Sequence, residues 1–554
     1  MKKKVLGIII GVLVAMPMFV NAAEVEKVDT VEKLRQALGN GKSVELTSNI
    51  TLEDADSNAG GRSTGVAIKG SGDITIDGNG YTIDASKVRT TLEIYSNGEA
   101  VNVTLTDIKV NNGYAAGRAI DTRTGDIELT LDGATLTTTG SGNTQVLTIG
   151  DSYEGTMNIN VLNSTISDGI SGYGIIAFNK VNLTIDNSKV SGYGAIYLKP
   201  ATSSKGTADS TVTIKNKSEI STNNVHSAAT NAFGTIIFED KNLTVNIENS
   251  TIKAVSTGEQ PQYVFMFKEK ENNKVTVSGN SNVIVDTKDE LIAGEGAVTI
   301  KSGVTSNVEI PAECFEKEGE ETTTGAYEII DPETGNTQYI VASKDEVKET
   351  PIIEYSEIIA KEDRVKLLEE LEKVQKQLAD TVKELEAIEN PSDEEKESLK
   401  MLQEIEKAYT ELGKVLNTKE IVSFNEIIYG SVLNDNLIVD SEQTELQKAV
   451  KVTLDLPENL EKVKDGYTRK YSVIRFHINQ DNSIDFKELE AIEKEGKVTF
   501  ETDKFSTYIL TYKDTLATKN PNTFDGISLY IMMATISLIG LVSLKIYTKK
   551  AKKY

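Results

Sequence analysis

From about residue 43 to residue 310 the chain is written in short runs that alternate apolar and polar residues, and the runs recur. The clearest copies are Val103–Val110, Leu129–Leu136, Ile159–Ile166, Leu183–Val190, Val212–Ile220, Val245–Ile252 and Val275–Val283, after an earlier one at Ile74–Ile83. Their starts from Val103 onward lie about 24 to 33 residues apart, a spacing typical of solenoid repeats. A second strand sits between successive copies: Gly174–Phe178, Gly194–Leu198, Gly234–Phe238 and Tyr263–Phe267. Alternation of this kind gives each strand one buried and one wet face. Gly, Asn and Asp turns join the strands, and no helix-length segment separates them, which excludes βαβ crossovers. The pattern predicts a parallel β-helix over residues 43–310, each coil burying its inward face against its neighbours. Ile176 with Phe178, Ile196 with Leu198, Ile236 with Phe238, and Phe265 with Phe267 are expected to form one stacked inward column.

Asn163, Asn187 and Asn249 take the same place in their repeats, and Gly133 joins them. Both residue types tolerate left-handed backbone angles, so the position reads as a recurrent turn, with asparagines able to bond up the stack. Before the coils, residues 24–42 place Val31, Leu34 and Leu38 on one helical face, an amphipathic cap over the first coil.

After the coils the period dissolves. Residues 311–355 read as an acidic linker with one hairpin around Pro332–Gly335. Residues 356–416 carry Leu367, Leu371, Val374, Leu378, Val382 and Leu385 at helical steps, a break at Asn390-Pro391, and a cap at Ser392 or Asp393. Leu399, Leu402, Ile405, Tyr409 and Leu412 continue the pattern, so an antiparallel helical hairpin is expected, as a rigid spacer or a coiled-coil partner site. Residues 417–513 alternate again between turn signals and predict a small β-sandwich; the ending Val498–Tyr512 resembles the last strand pair of membrane-proximal domains in Gram-positive surface proteins, which implies a stalk next to the membrane.

The two ends carry a different signal. Residues 1–23 combine Lys2, Lys3 and Lys4, an apolar run and small residues, the three parts of a signal peptide. Residues 527–546 are apolar over a length that just spans a bilayer, and residues 547–554 form a basic tail on the cytoplasmic side. Between them, residues 514–526 hold Asn520, Pro521, Asn522 and Thr523. That motif, a hydrophobic span and then lysines resemble the sorting signals of Gram-positive surface proteins. The resemblance implies sortase cleavage after Thr523 with linkage to the cell wall; the alternative is a retained transmembrane helix. The commonest form of the motif has Gly after Thr, where this chain has Phe524.

Charge and chemistry narrow the function. The net charge of -25 and pI of about 4.7 argue against a nucleic-acid partner, which requires a basic face. One cysteine, Cys314, excludes an internal disulfide framework. The string from His477 to Glu488 imitates a calcium loop, but His477 stands where a carboxylate is needed and Asn482 where the turn glycine belongs. No zinc spacing surrounds His226, and no metal or cofactor is expected.

The order of cap helix, short strand and Ile74–Ile83 resembles the pectate-lyase-like family of right-handed parallel β-helices. That resemblance implies either a binding scaffold or a polysaccharide lyase or hydrolase. Catalytic candidates for the second are Asp107, Asp121, Asp126, Asp132, Asp151 and Asp186, with Arg118, Arg123 and Lys199. Asp107, Asp132 and Asp186 sit at turns, and the chain has no Trp on which to stack sugar rings. Tyr114, Tyr153, Tyr173 and Tyr193 lie on loops, and Tyr173 and Tyr193 share the pattern Ser-Gly-Tyr-Gly, which marks them as candidate glycan contacts on one face. The expected whole is mainly β. A right-handed parallel β-helix is followed by a helical hairpin and a β-sandwich stalk, on the outer face of a Gram-positive cell. Its expected role is a non-catalytic adhesin or glycan-binding protein; a depolymerase and a structural spacer are the alternatives. An active site predicts several carboxylates and a base converging from adjacent coils, whereas a binder predicts exposed tyrosines or an uninterrupted polar stripe.

Overall fold

The computed structural model describes residues 25–516 except 58, 60–62, 151–154, 170–171, 201–205, 224–232, 257–261, 270, 287–288, 320, 332–333, 362, 435, 440–441 and 480–482. The described residues divide into two compact units between Lys344 and Asp345. The signal peptide, the sorting motif, the apolar span 527–546 and the basic tail lie outside the described residues. No helix among the described residues is long and apolar enough to cross a membrane.

The first unit is a parallel β-solenoid with three strand positions per coil. One coil runs through Val181–Asp186, Lys189–Gly192 and Gly194–Leu198 before the next begins at Thr211–Lys215. Each strand pairs in parallel with its counterpart one coil away. Two long strands, Thr64–Asp77 and Thr90–Thr106, run from the third position of one coil into the first position of the next. They join those two columns into one 18-stranded sheet, while the second positions stack in a 12-stranded sheet.

Burial follows the predicted alternation. At the first position Met157–Leu162 and Val181–Asp186 alternate buried and more accessible residues. The inward rows interlock coil on coil: Leu92, Ile120, Leu147, Ile175, Ile196, Ile236 and Phe265 stand in one register. Beside them the Phe238 and Phe267 rings stack with centroids 4.5 Å apart. Each fully buried side chain of this size contributes about 1.5–3 kcal/mol, which makes this continuous core the main support of the coils.

One expected pair is on the wrong side. Ile175 and Ala177 take the inward places, in register with Ile196 and Leu198, whereas Ile176 pairs with Tyr197 on the outer face. Ile176, Tyr197 and Ile237 form their own cluster there, with Phe178 packed against it. Both candidates for the inward place are apolar in Ile175–Ile176, so alternation gives no signal, and a slip of one residue exchanges the faces.

The recurrent turn is present. Asn163, Asn187 and Asn249 have φ of 49°, 47° and 49°, and Gly133 has 66°. Asn187 Nδ2 donates to Asn163 Oδ1 at 2.8 Å, and Asn163 Nδ2 to Asp132 Oδ1 at 2.9 Å. The residue after each of the three asparagines is a buried serine, and Ser218 and Ser281 extend the column, which the periodicity did not announce. The Ser164 N–H donates to Ser188 Oγ at 2.9 Å, Ser188 N–H to Ser218 Oγ at 3.2 Å, and Ser250 N–H to Ser281 Oγ at 3.1 Å. The hydroxyls donate in turn to carbonyls of their own coil, as Ser188 does to Asp186 at 2.7 Å. A hydroxyl is small enough to sit inside the corner, and it satisfies backbone groups that the turn removes from the ladder.

Both ends of the solenoid are closed. Helix α1 (Val31–Gly39) buries Leu34, Ala37 and Leu38 and is capped by the Thr30 side chain, the cap expected from its apolar stripe. Arg35 fastens it by donating to the Gly65 carbonyl at 2.8 Å and to the Asp54 carbonyl at 2.6 Å. At the other end, the hairpin Thr324–Ile330 with Thr337–Ser343 pairs antiparallel onto the last parallel strand, Thr305–Ser306. The expected hairpin is therefore part of the solenoid's sheet, where it covers an otherwise open edge.

In the second unit the expected linker, spacer and sandwich form one body. Lys348–Ile358, which reads as linker, is an edge strand paired antiparallel with Glu420–Leu433. Helices α2 (Arg364–Glu386) and α3 (Asp393–Leu416) are inserted between those two neighbouring strands. Leu371, Val374, Leu378, Leu402, Ile405 and Tyr409 share a core with Ile421, Ile474 and Ile509 of the sheet. The hairpin is a packed layer here, because its apolar stripe finds a sheet face to cover. On the opposite face a three-stranded sheet, with Glu445–Asp455 and Lys497–Lys504, encloses a second core around Val473, Phe500, Tyr508 and Leu510.

Candidate functional site

The outward face of the first strand position carries a long and regular row of polar residues. Thr75, Thr104, Thr130, Asn160, Thr184, Thr213, Asn246, Thr276 and Thr299 stand in one register, each paired with the next. Every member is a threonine or an asparagine, and every one is exposed or half-buried. The backbone dictates the placement: these residues sit between inward positions such as Leu183 and Ile185, so period two turns them to solvent. A neighbouring row adds amides, with Asn102 Nδ2 donating to Asp73 at 2.8 Å and Asn182 Nδ2 to Asn158 at 3.0 Å. The rungs repeat at the parallel-strand spacing of about 4.8 Å, which presents hydroxyl and amide groups as a flat, evenly divided polar strip.

The tyrosine pair predicted from sequence is not an exposed platform. Tyr173 is half-buried, with its ring 5.1 Å from that of Tyr197. Tyr193 is only 5% exposed. The two Ser-Gly-Tyr-Gly copies are also out of register, because Tyr173 pairs with Gly194 and the Tyr193 N–H donates to the Gly172 carbonyl at 2.7 Å. Burial pushes both phenols up to about 12. Similar strings therefore occupy different positions in successive coils, which a one-dimensional comparison cannot detect.

The acidic candidates scatter, with one exception. Asp107 sits at a turn with φ of 44°, Asp132 accepts from Asn163, and Asp186 accepts from Asn216 at 2.8 Å. Asp126 is exposed, and Lys199 lies over the Tyr197 ring at 5.5 Å. Asp151, Tyr153 and His226 lie outside the described residues. Tyr114 is exposed on its loop.

Asp121 does converge with other charges, on the outer face of the third strand position. Arg123 reaches Asp121 at 3.2 Å and Glu93, one coil away, at 3.1 Å. Arg118 pairs with the same Asp121 oxygen, and Thr64 donates to Glu93. Glu93, Asp121 and Arg123 are 1%, 1% and 2% exposed. Two buried carboxylates are thus matched by the buried Arg123 and the half-buried Arg118, the arrangement of a closed ion network. Glu93 escaped the sequence reading because its strand, Thr90–Thr106, breaks the short-run pattern; its register with Asp121 is what pairs them.

In the second unit the calcium-like string forms a β-hairpin in place of a helix-flanked loop. His477 lies opposite Asp485 in antiparallel register and is 2% exposed. No group of three or more metal-ligating residues occurs among the described residues.

Residues 25–128 match the family model described as a "Putative pectate lyase-like adhesive domain". No curated protein matches the chain. A solved structure, the SRRP of L. reuteri 53608, covers 51% of this chain and 98% of its own at 16% identity and a TM-score of 0.31.

Proposed function

We propose that this chain is a non-catalytic adhesin, displayed outside the cell, whose solenoid binds an extended polysaccharide along the threonine–asparagine strip. The uninterrupted strip is the observation that carries the reading: it is long, polar, uncharged along its axis and built on continuously paired parallel strands. The match of residues 25–128 to an adhesive domain supports the same reading. Removing one neutral hydrogen-bonding rung changes affinity by about 1 kcal/mol, so useful affinity comes from many rungs acting together. A flat ladder suits a polymer because a short oligosaccharide touches too few rungs.

Surface display rests on the basic and apolar segment at residues 1–23 and on Asn520–Thr523 with the apolar span 527–546. In this reading the motif is cleaved by a sortase at Thr523 and linked to the wall, or the span is retained in the membrane.

The test uses residues 25–516 on immobilised plant, host and bacterial polysaccharides. Thr184→Glu with Thr213→Glu should lower binding at least tenfold on the polymer that the parent binds, with an unchanged circular dichroism spectrum. Undiminished binding places the ligand elsewhere on the protein. Release of oligosaccharides that disappears in Asp121→Asn makes the protein a depolymerase instead.

A further inference from the structure

We propose that Lys504 and Asn479 in the second unit are joined by an intramolecular isopeptide bond. Asn479 directly follows the strand Tyr467–Ile478 of the larger sheet, and Lys504 ends the strand Lys497–Lys504 of the smaller one. Lys504 Nζ donates to Asn479 Oδ1. The carboxamide is held in place, because its Nδ2 donates to Ser483 Oγ at 2.8 Å and the Asn479 N–H to the Ser483 carbonyl at 2.9 Å. Two carboxylates flank the amine: Asp485 Oδ2 at 3.5 Å and Glu445 Oε1 at 3.7 Å.

The two acids are not equivalent. Arg475 holds Asp485 and also reaches Asp503 at 2.8 Å, so the negative charge of Asp485 is already matched by a guanidinium. Among the described residues, Glu445 faces the His477 Nε2 at 3.3 Å and Lys504, and no guanidinium. The structure therefore assigns Glu445 as the proton carrier. It takes one proton from the Lys504 ammonium, and the freed amine attacks Cγ of Asn479. The new Cγ–Nζ bond forms as the Cγ–Nδ2 bond breaks. Glu445 returns its proton to Nδ2 and a second moves there from Nζ, so the nitrogen departs as ammonium, the carboxylate is restored, and no oxidant, reductant or co-reactant is needed. An amide is a poor electrophile, and the reaction depends on amine, carboxamide and carboxylate being held together by the fold.

The bond would link the two sheets covalently in a chain whose single cysteine, Cys314, cannot form an internal disulfide. As with a disulfide, closing this loop restricts the unfolded chain and raises stability.

The full chain is purified, denatured and digested, and its peptides are read by tandem mass spectrometry. A branched peptide containing Lys504 and Asn479 is expected, lighter by one ammonia than its two linear parts together. It should be absent from Lys504→Arg and from Glu445→Gln, both checked for folding by circular dichroism, and Lys504→Arg should melt below the parent. Recovery of only linear peptides from folded parent protein overturns the bond. A branched peptide that persists in Glu445→Gln overturns the assigned proton route.

Discussion

Arg123 shows how much one side chain supports. It is buried between Asp121 and Glu93, which belong to successive coils of the third column, at 3.2 and 3.1 Å. Its removal leaves two carboxylates out of water with too little positive charge. Arg123→Ala should destabilise the solenoid by about 3–5 kcal/mol, measured by chemical denaturation, because the cost is that of uncompensated buried charge. Replacing Glu93, Asp121, Arg118 and Arg123 together by apolar residues of similar size should cost much less, because no charge is then left without its partner. Residue type alone points to chemistry here, since Asp and Arg on adjacent coils are what an active site also requires. Burial and mutual pairing separate the two readings, and both are properties of the folded chain.

Among the elements, α3 is the one whose start is written most plainly. Ser392 accepts from the Glu395 N–H, and the Glu395 carboxylate accepts from the Ser392 N–H at 2.8 Å, a reciprocal capping box. Ser392→Ala should cost about 1 kcal/mol in the second unit, seen as a lower denaturation midpoint with unchanged slope. What α2 and α3 pack against was not legible. Their apolar stripe suits a spacer, a partner or a sheet equally well, and Ile421, Ile474 and Ile509 decide for the sheet. Lys348–Ile358 was missed for a related reason: an edge strand with one accessible flank carries a weak alternation, and its partner Glu420–Leu433 lies beyond the helices in sequence. The strands of the solenoid were legible because each repeats a local pattern many times.

Both units carry tyrosines that respond to alkali. Burial raises Tyr173 and Tyr193 in the first unit, and Tyr409, Tyr508 and Tyr512 in the second, from 10.0 to about 12. Below pH 10 these phenols are neutral in both folded and unfolded chains. Between about pH 10 and pH 12 the unfolded chain loses protons that the folded chain keeps, so stability falls through that window. With 20 tyrosines and no tryptophan, phenolate absorbance reports the titration cleanly. An early class of accessible tyrosines should titrate first, and a late class should appear together with loss of the β spectrum. A single transition near pH 10 with the fold intact would contradict the burial of these rings.

The solenoid, its cap helix, the left-handed asparagine turns and the helical hairpin were determined by the sequence itself, because each depends on residues close together in the chain. Local periodicity selects the inward face, and Asn or Gly selects the corner. Register was decided only in three dimensions. It places Ile175 inward and Ile176 outward, offsets the two tyrosine motifs by one residue, joins Glu93 to Asp121, and aligns nine threonines and asparagines into one strip. Strand pairing across coils is a long-range choice made by packing, and no single repeat contains the information that a one-residue shift changes.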